Sequence, residues 1–419
     1  MCNLTIRAIL QRLAPHKGFR YVNVRANAMC GDVLEAVVAA RKGCKPRCGK
    51  CGRPGPTYDH QAERMWRFVS LWAIPFFLVY RPRRVDCGRC GIRTERIPWA
   101  SGRRRICDAM RLFLAQWARR LSWRETAEIF AVSWADVHAS VQWVVAYGLR
   151  HRSLEGVRAL GVDEIHVGRR EKFWTLVYQI DEGSRRLLWV GRDRTTKTFE
   201  DFFEQFGMPF CEGIAFICSD MWKPYLDVAA QCIPHALHIL DRFHIVKKMN
   251  EAIDIVRREE TRALAAAGLA PLLRRMRWPL LKRRANWTKG QRKRMRDLER
   301  SSLRTMRAYL LVECFQHFWT YVSPLWAGRF LDAWCRRAMR SRLEPIKKIA
   351  RSLREHRPLL MNYFKAKKEY SSGVVEGLNN KVKLTLKRSY GFRTAEAREV
   401  ALYHTLGKLP EPTLTHSFF

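Results

Sequence analysis

The chain has 419 residues, with 78 Lys+Arg against 39 Asp+Glu, a formal net charge of +39, 47% hydrophobic residues and 15 Trp. Its apolar and aromatic content excludes a disordered chain, and its length allows about two to four domains. So many unbalanced cations need a polyanion, DNA or RNA; ribosomal and packaging proteins share the charge but are usually smaller and poorer in aromatics.

Residues 1–40 read as a poorly defined N-terminal arm. Residues 1–20 carry Arg and Lys and no continuous apolar run, so no signal peptide is expected. The most apolar stretch, LWAIPFFLVY at 71–80, is too short to span a bilayer and contains Pro75. A soluble, cytoplasmic, reduced protein without membrane contact follows as the expectation. Its 13 Cys are then core residues or metal ligands.

Residues 41–100 carry strand-like runs and a doubled CGxCG pattern, Cys48-Gly-Lys-Cys51-Gly and Cys87-Gly-Arg-Cys90-Gly. The glycines allow tight turns that aim backbone amides at the sulfurs. Two such knuckles with a hairpin-sized spacer supply four thiolates for a tetrahedral structural zinc. Unligated surface turns would leave exposed thiols open to oxidation. Cys44 rivals Cys48 as first ligand, but only Cys48 shares the repeated frame.

Residues 101–150 read as a helix-turn-helix. Ser122-Trp-Arg-Glu125 is a capping box for a helix through Phe130, and Ala131–Val132 makes a turn. Ser133-Trp-Ala-Asp136 opens a second helix to about Tyr147, with Val137, Val141 and Val144 as its apolar stripe. His138, Ser140 and Gln142 are left partly outward, as base-reading side chains of a DNA-binding unit. An ordinary helical hairpin would show the same pattern.

From 157 the pattern changes to VRALGVDEIHVG, KFWTLVYQID and RRLLWVGRD, three strands with turns at Gly168–Lys172 and Glu182–Gly183. TKTFEDFFEQF is an amphipathic helix, GIAFICSD a buried strand, MWKPYLDVAAQC a helix, HALHIL a strand and DRFHIVKKMNEAIDIVRREE a long helix. This order predicts an α/β core, a mixed sheet with flanking helices. Residues 259–340 are helical and densely basic, and the chain is helical again from 341 to about 408.

Three acids stand out. Asp163 lies in an apolar strand, where a carboxylate is costly unless paired or metal-bound. Asp220 sits at the carboxyl end of a strand, where open α/β sheets place ligands. Glu376 is on a helix that begins at Ser371-Ser372-Gly373. On that helix Val375, Leu378, Val382 and Leu386 form one face, and Glu376, Asn380, Lys383 and Lys387 another that suits a metal held against a DNA backbone. Asp181, Asp193 and Asp241 are rivals, since a lone Asp at a strand end is often a turn or cap. Carboxylates in so basic a protein suggest metal-dependent chemistry on nucleic-acid phosphate.

The segments CGKCGRPGP, YRPRRVDCGRCGIRTERIPWA, LGVDEIHV, SDMWKPY, ILDRFHIVKKMNEAIDIVRR and SSGVVEGLNNKVKLTLKRSYGFR resemble the DDE transposases of bacterial insertion sequences, specifically the zinc-ribbon ISL-three group. They run from about residue 45 to 405. The resemblance places the family's three acids on Asp163, Asp220 and Glu376. It implies an RNase H-like core at 151–258 and 341–419, interrupted by the helical insertion at 259–340. It further implies two catalytic Mg2+ or Mn2+ ions, a structural Zn2+, and double-stranded DNA, both element ends and target, as partner. A homo-oligomer assembled on DNA ends is expected. A nuclease of the same fold without strand transfer, and a zinc-containing DNA-binding regulator, are the alternatives.

Overall fold

The computed structural model describes residues 5–27, 33–102, 104–168, 173–269, 272–367, 373–388 and 392–414. They divide into two compact units, one of residues 1–153 with 384–419 and one of residues 154–383. Among the described residues no single helix is long and apolar enough to cross a membrane.

The first unit begins with α1 (Ile6–Leu13), β1 (Phe19–Asn27) and β2 (Val33–Ala40). It continues through β3 (Thr57–His60), β4 (Arg64–Leu71), β5 (Ile74–Tyr80), β6 (Arg83–Cys87) and β7 (Gly91–Thr94). Four of these strands form a sheet in the order β1-β2-β5-β4, and three form a smaller one, β3-β6-β7. Residues 1–40 are therefore no arm in their described part. Phe19, Tyr21, Ala36 and Val38 enter a core with Trp66, Phe76, Leu78, Tyr80 and Trp99. The strand alternation of FRYVNVRAN was masked by its many polar outward residues, which leave only Phe19 and Tyr21 buried. Three helices follow: α2 (Asp108–Ala118), α3 (Trp123–Ile129) and α4 (Trp134–His151). The expected caps form, with a complete Ser122–Glu125 capping box and the Ser133 side chain accepting from the Asp136 N–H.

The second unit opens with β8 (Ala159–His166), β9 (Phe173–Gln179), β10 (Arg186–Gly191), α5 (Thr196–Phe206) and a short α6 (Met208–Glu212). β11 (Phe216–Ser219), α7 (Lys223–Cys232), β12 (Leu237–Leu240) and α8 (Arg242–Ala266) complete the α/β part. The sheet order is β10-β9-β8-β11-β12. β8, β9 and β10 pair antiparallel, while β11 is parallel to both β8 and β12. The Glu182–Gly183 turn is present, with Gly183 at φ +79°; residues 169–172 of the other expected turn lie outside the described residues. Leu160, Val162, Val177 and Leu188 pack under α5 and α7. Side chains alternate along a strand, so Gly161 and Asp163 take the opposite face.

A helical block follows: α9 (Arg277–Leu281), α10 (Lys289–Glu299), α11 (Arg304–Phe315), α12 (Pro324–Arg340), α13 (Glu344–Glu355) and α14 (Arg357–Lys365). It shares one core with α8, from Ile245 to Phe364. The boundaries expected at 259 and 341 thus cut through continuous packing; the apolar stripe of α8 already faces the block. α15 (Gly373–Arg388) comes next, and α16 (Ala395–Leu406) packs on α4. Of the stretch 341–419 expected to complete the core, residues 341–383 cluster with the second unit and residues 384–419 with the first.

Candidate active site and metal centre

The sheet register aligns three carboxylates. Cys218 pairs with Gly161 and Ser219 with Leu240. Extending each ladder puts Asp163, Asp220 and Asp241 abreast at the carboxyl side of three neighbouring strands. Adjacent strands lie about 4.8 Å apart, so these acids stand close to one another. Burial pushes the Asp163 carboxyl above its ordinary range; the Glu164 N–H and His244 oppose the rise, and Asp241 and Asp220 add to it. Glu164, on the other face of β8, is pushed to about 7, first by burial, against the pull of Arg194 and with Asp220 and Asp163 adding. Burial lowers His244, but its bond to Asp241 and the fields of Asp163 and Asp220 outweigh that and raise it. The surplus of negative charge is only partly met by His244 and by Arg194, which pairs with Glu164 and lies 4.4 Å from the Trp222 ring centre.

Each acid is held. The Asp220 Oδ1 accepts from the Trp222 N–H at 2.9 Å. Asp241 caps α8, accepting from the Phe243 N–H at 2.6 Å and meeting His244 Nδ1 at 3.1 Å. Asp163 Oδ2 accepts from Asn379 Nδ2 at 2.6 Å, and Asn379 Oδ1 accepts from the Tyr178 hydroxyl at 2.6 Å. Asn379, buried on α15, was not singled out by sequence. Its signal was there: it lies four residues after Val375, a polar group on the inward stripe. Val375 itself lies so close to Gly161 that a Cβ there would come within 2.5 Å of it. This close approach requires glycine and seats α15 on β8.

Glu376, Asn380, Lys383 and Lys387 are exposed on α15, along the stripe read from the sequence. Ser371 and Ser372 lie outside the described residues. The side chains of Asp163, Asp220 and Glu376 are not drawn into one tight cluster. Among the described residues only the cysteine group brings three or more metal-ligating atoms within 4.8 Å of one another. Of the rivals, Asp181 caps the Arg158 and Ala159 amides, and Asp193 accepts from the Arg194 N–H.

That cysteine group is Cys48, Cys51, Cys87 and Cys90. Cys48 and Cys87 are buried, and the Cys51 and Cys87 sulfurs are 3.6 Å apart. Gly52 and Gly91, each following a knuckle, take φ of +73° and +68°, which favours glycine. The amides of Cys51 and Lys50 lower the Cys48 thiol, and those of Arg89 and Cys90 lower Cys87 to about 7. Burial pushes Cys90 to about 11, with Cys51 adding. Cys44 stands outside the cluster, against Gly18. Four sulfurs at this spacing, in a reduced hairpin frame, support a structural zinc.

A family model described as a transposase matches residues 160–401, and a zinc-finger model of the transposases IS204/IS1001/IS1096/IS1165 matches residues 45–90. The chain belongs to the ISL-three family of insertion-sequence transposases. It is 27% identical over 403 residues to the transposase for insertion sequence element IS1557 of Mycobacterium tuberculosis, covering 88% of this chain and 87% of that protein. It is 26% identical over 353 residues to the transposase for IS1001 of Bordetella parapertussis, covering 83% and 86%.

The helices expected to read DNA in this transposase are present, with axes turning by 117° between α3 and α4 and Ala131 at φ +48° in the turn. The side chains chosen as readers are a different matter. Ser140 is buried and donates to the Asp136 carbonyl at 2.6 Å. Gln142 donates to Glu396 on α16 at 2.6 Å. His138 is half-buried, stacked on Trp134 at 5.2 Å and lowered chiefly by burial. α4 packs against α2, α3 and α16, so faces that look free from periodicity are covered. Its exposed residues are Trp134, Ala135, Ala146, Arg150 and His151, with no cation before Arg150.

Proposed function

We propose that this transposase binds the terminal inverted repeats of its element, cuts the ends by metal-dependent phosphodiester hydrolysis and joins the 3′ ends to target DNA. The observation that carries the reading is the alignment of Asp163 with Asp220 across β8 and β11, with the Glu376 helix tied to Asp163 through Asn379. Three antiparallel strands followed by two parallel ones, with helices on both faces, support an RNase H-like core.

Asp163, Asp220 and Glu376 would hold Mg2+ or Mn2+. Hard carboxylate donors suit these ions, and the crowded negative charge at Asp163 calls for a cation. When bound, a pair of such ions supplies charge that activates the attacking oxygen and steadies the leaving one. The remaining work falls to the chain. Asn379 fixes one oxygen of Asp163, the Trp222 N–H fixes one oxygen of Asp220, and Glu376 stands exposed one turn from Asn379. Hydrolysis breaks a P–O3′ bond, with the water oxygen passing to phosphorus and the proton to solvent. The freed 3′-hydroxyl then attacks a target phosphodiester and releases a target 3′-oxygen. No side chain bonds covalently to DNA. Asn380, Lys383 and Lys387 are placed to meet phosphates, and the zinc unit with α3 and α4, as a helix-turn-helix, serves end recognition. The protein works in the cytoplasm on double-stranded DNA, as a homo-oligomer assembled on element ends.

The test is a labelled element-end duplex with purified protein and Mg2+ or Mn2+. Asp163→Asn, Asp220→Asn and Glu376→Gln should each abolish both cleavage and strand transfer while DNA binding persists. Asp181→Asn, at a structural turn, should keep activity. Full activity in any trio variant removes that residue from the site. Cleavage without joining by the wild type favours a nuclease, and binding without either favours a regulator.

A further inference from the structure

The first unit contains a groove of about 720 Å³ between the end of β2, the loop that follows it, and β3 with the β5–β6 turn. Its lining carries Arg41, Lys45, His60, Arg81 and Arg83 and no acidic residue. Arg83 contributes no free charge. It is buried, chelates Glu95 at 2.7 and 3.0 Å, and donates to the Cys44 carbonyl at 2.8 Å. Tyr80 donates to the same carboxylate, so the floor is a neutral, hydrogen-bonded network joining the two sheets.

The walls differ from the floor. Arg41, Lys45 and Arg81 are exposed, and among the described residues none has a carboxylate partner. Arg41 Nε donates to the Phe19 carbonyl at 3.0 Å, and Arg81 Nε to the Gln61 carbonyl at 3.1 Å. One edge of each guanidinium is thus tethered while its terminal nitrogens stay available. A tethered planar fork has already lost much of its rotamer freedom and suits a phosphate bidentately.

We propose that this groove seats the sugar–phosphate backbone of duplex DNA, with Arg41 and Arg81 as phosphate clamps and Lys45 as an accessory charge. The absence of any unpaired carboxylate on the lining, in a chain that otherwise carries 39 acidic residues, matches a polyanion. The α4 positions chosen from sequence are buried or internally bonded, whereas this groove presents cations held in place. The identity of the duplex rests on the transposase reading; the phosphate contact does not, because such contacts position the protein without reading sequence.

The experiment uses zinc-loaded full-length protein and a short fluorescent duplex of random sequence, titrated by anisotropy across a range of salt. Arg41→Ala/Arg81→Ala should weaken binding about tenfold at physiological salt and reduce the log–log salt slope by about 1.8, as expected for two lost phosphate contacts. Arg158→Ala/Arg185→Ala removes the same charge from exposed positions just before β8 and in the β9–β10 turn, outside every element given a DNA-binding role, and should change affinity less than twofold. Arg41→Lys/Arg81→Lys should recover part of the affinity, and unchanged zinc content and melting temperature guard against misfolding. Equal losses in both alanine pairs, or no loss in the groove pair, would overturn the proposal. Binding through the groove by a protein that cannot cut would sink the catalytic reading and leave the groove standing.

Discussion

Asn379 offers the sharpest test of how α15 meets the sheet. Its amide satisfies two buried groups at once, the Asp163 carboxylate and the hydroxyl of Tyr178, a residue with no exposed surface. Asn379→Leu keeps the volume and leaves the Tyr178 hydroxyl and Asp163 Oδ2 without a partner, while Asp163 Oδ1 keeps the Glu164 N–H. A buried group stranded in this way costs about 1–3 kcal/mol, so the variant should lose about 2–5 kcal/mol of unfolding free energy. Tyr178→Phe removes only the donor to Asn379 Oδ1 and should cost about 1–2 kcal/mol. In the double variant the Tyr178–Asn379 pair is gone from both sides. Its loss should therefore fall short of the summed single losses by about 1 kcal/mol or more. Urea unfolding followed by circular dichroism supplies these numbers. End cleavage should drop at least tenfold in Asn379→Leu, because Asp163 loses the bond that aims it, and much less in Tyr178→Phe. Strictly additive losses, or wild-type cleavage by Asn379→Leu, would show that α15 does not position Asp163.

Two further outcomes are expected. Ser at Cys48, Cys51, Cys87 or Cys90 should release the zinc, about one per chain, and loosen the β3-β6-β7 sheet, whereas Cys44→Ser should retain it; elemental analysis decides. His404 is buried and held to about 3, first by burial and then by Arg119. Its folded value lies below the unfolded value near 6.5, so stability is full above that and falls as pH drops from about 6.5 toward 3, by about 1.4 kcal/mol per pH unit. Urea melts of the wild type at pH 7, 6 and 5 should show at least this slope, to which His16 and His238, each held by burial to about 4, add, and His404→Leu should flatten it by one proton; an identical slope in the variant would refute the assignment.

The strands and helices around Asp163, Asp220 and Glu376 were legible because each carries a local signal: an apolar run, a capping residue or a helical stripe. The alignment of Asp241 beside Asp220 was not, since strand register is a pairing between distant segments. Asn379 was hidden by its neighbour: Asn380 lies on the exposed stripe and looked functional, while the buried amide touches Asp163. The covering of His138, Ser140 and Gln142 on α4 was hidden for the same reason in reverse. Periodicity identified one buried face from Val137, Val141 and Val144, and only the folded chain shows that α2 and α16 cover others. The four-cysteine cluster was legible because the CGxCG turn is a local geometry that glycine at positive φ dictates.

The β4–β5 hairpin sits in the chain between the two cysteine knuckles, yet its strands complete a sheet begun by β1 and β2. The metal-binding ribbon and the sheet beside it are therefore threaded through each other. Cutting out residues 45–90 alone would carry Trp66, Phe68, Phe76 and Leu78 away from the strands that cover them and leave an apolar hairpin in water. Exchanging the ribbon by itself would break this packing; the stretch that keeps the core whole runs from α1 to at least Trp99, with the four-cysteine group inside it.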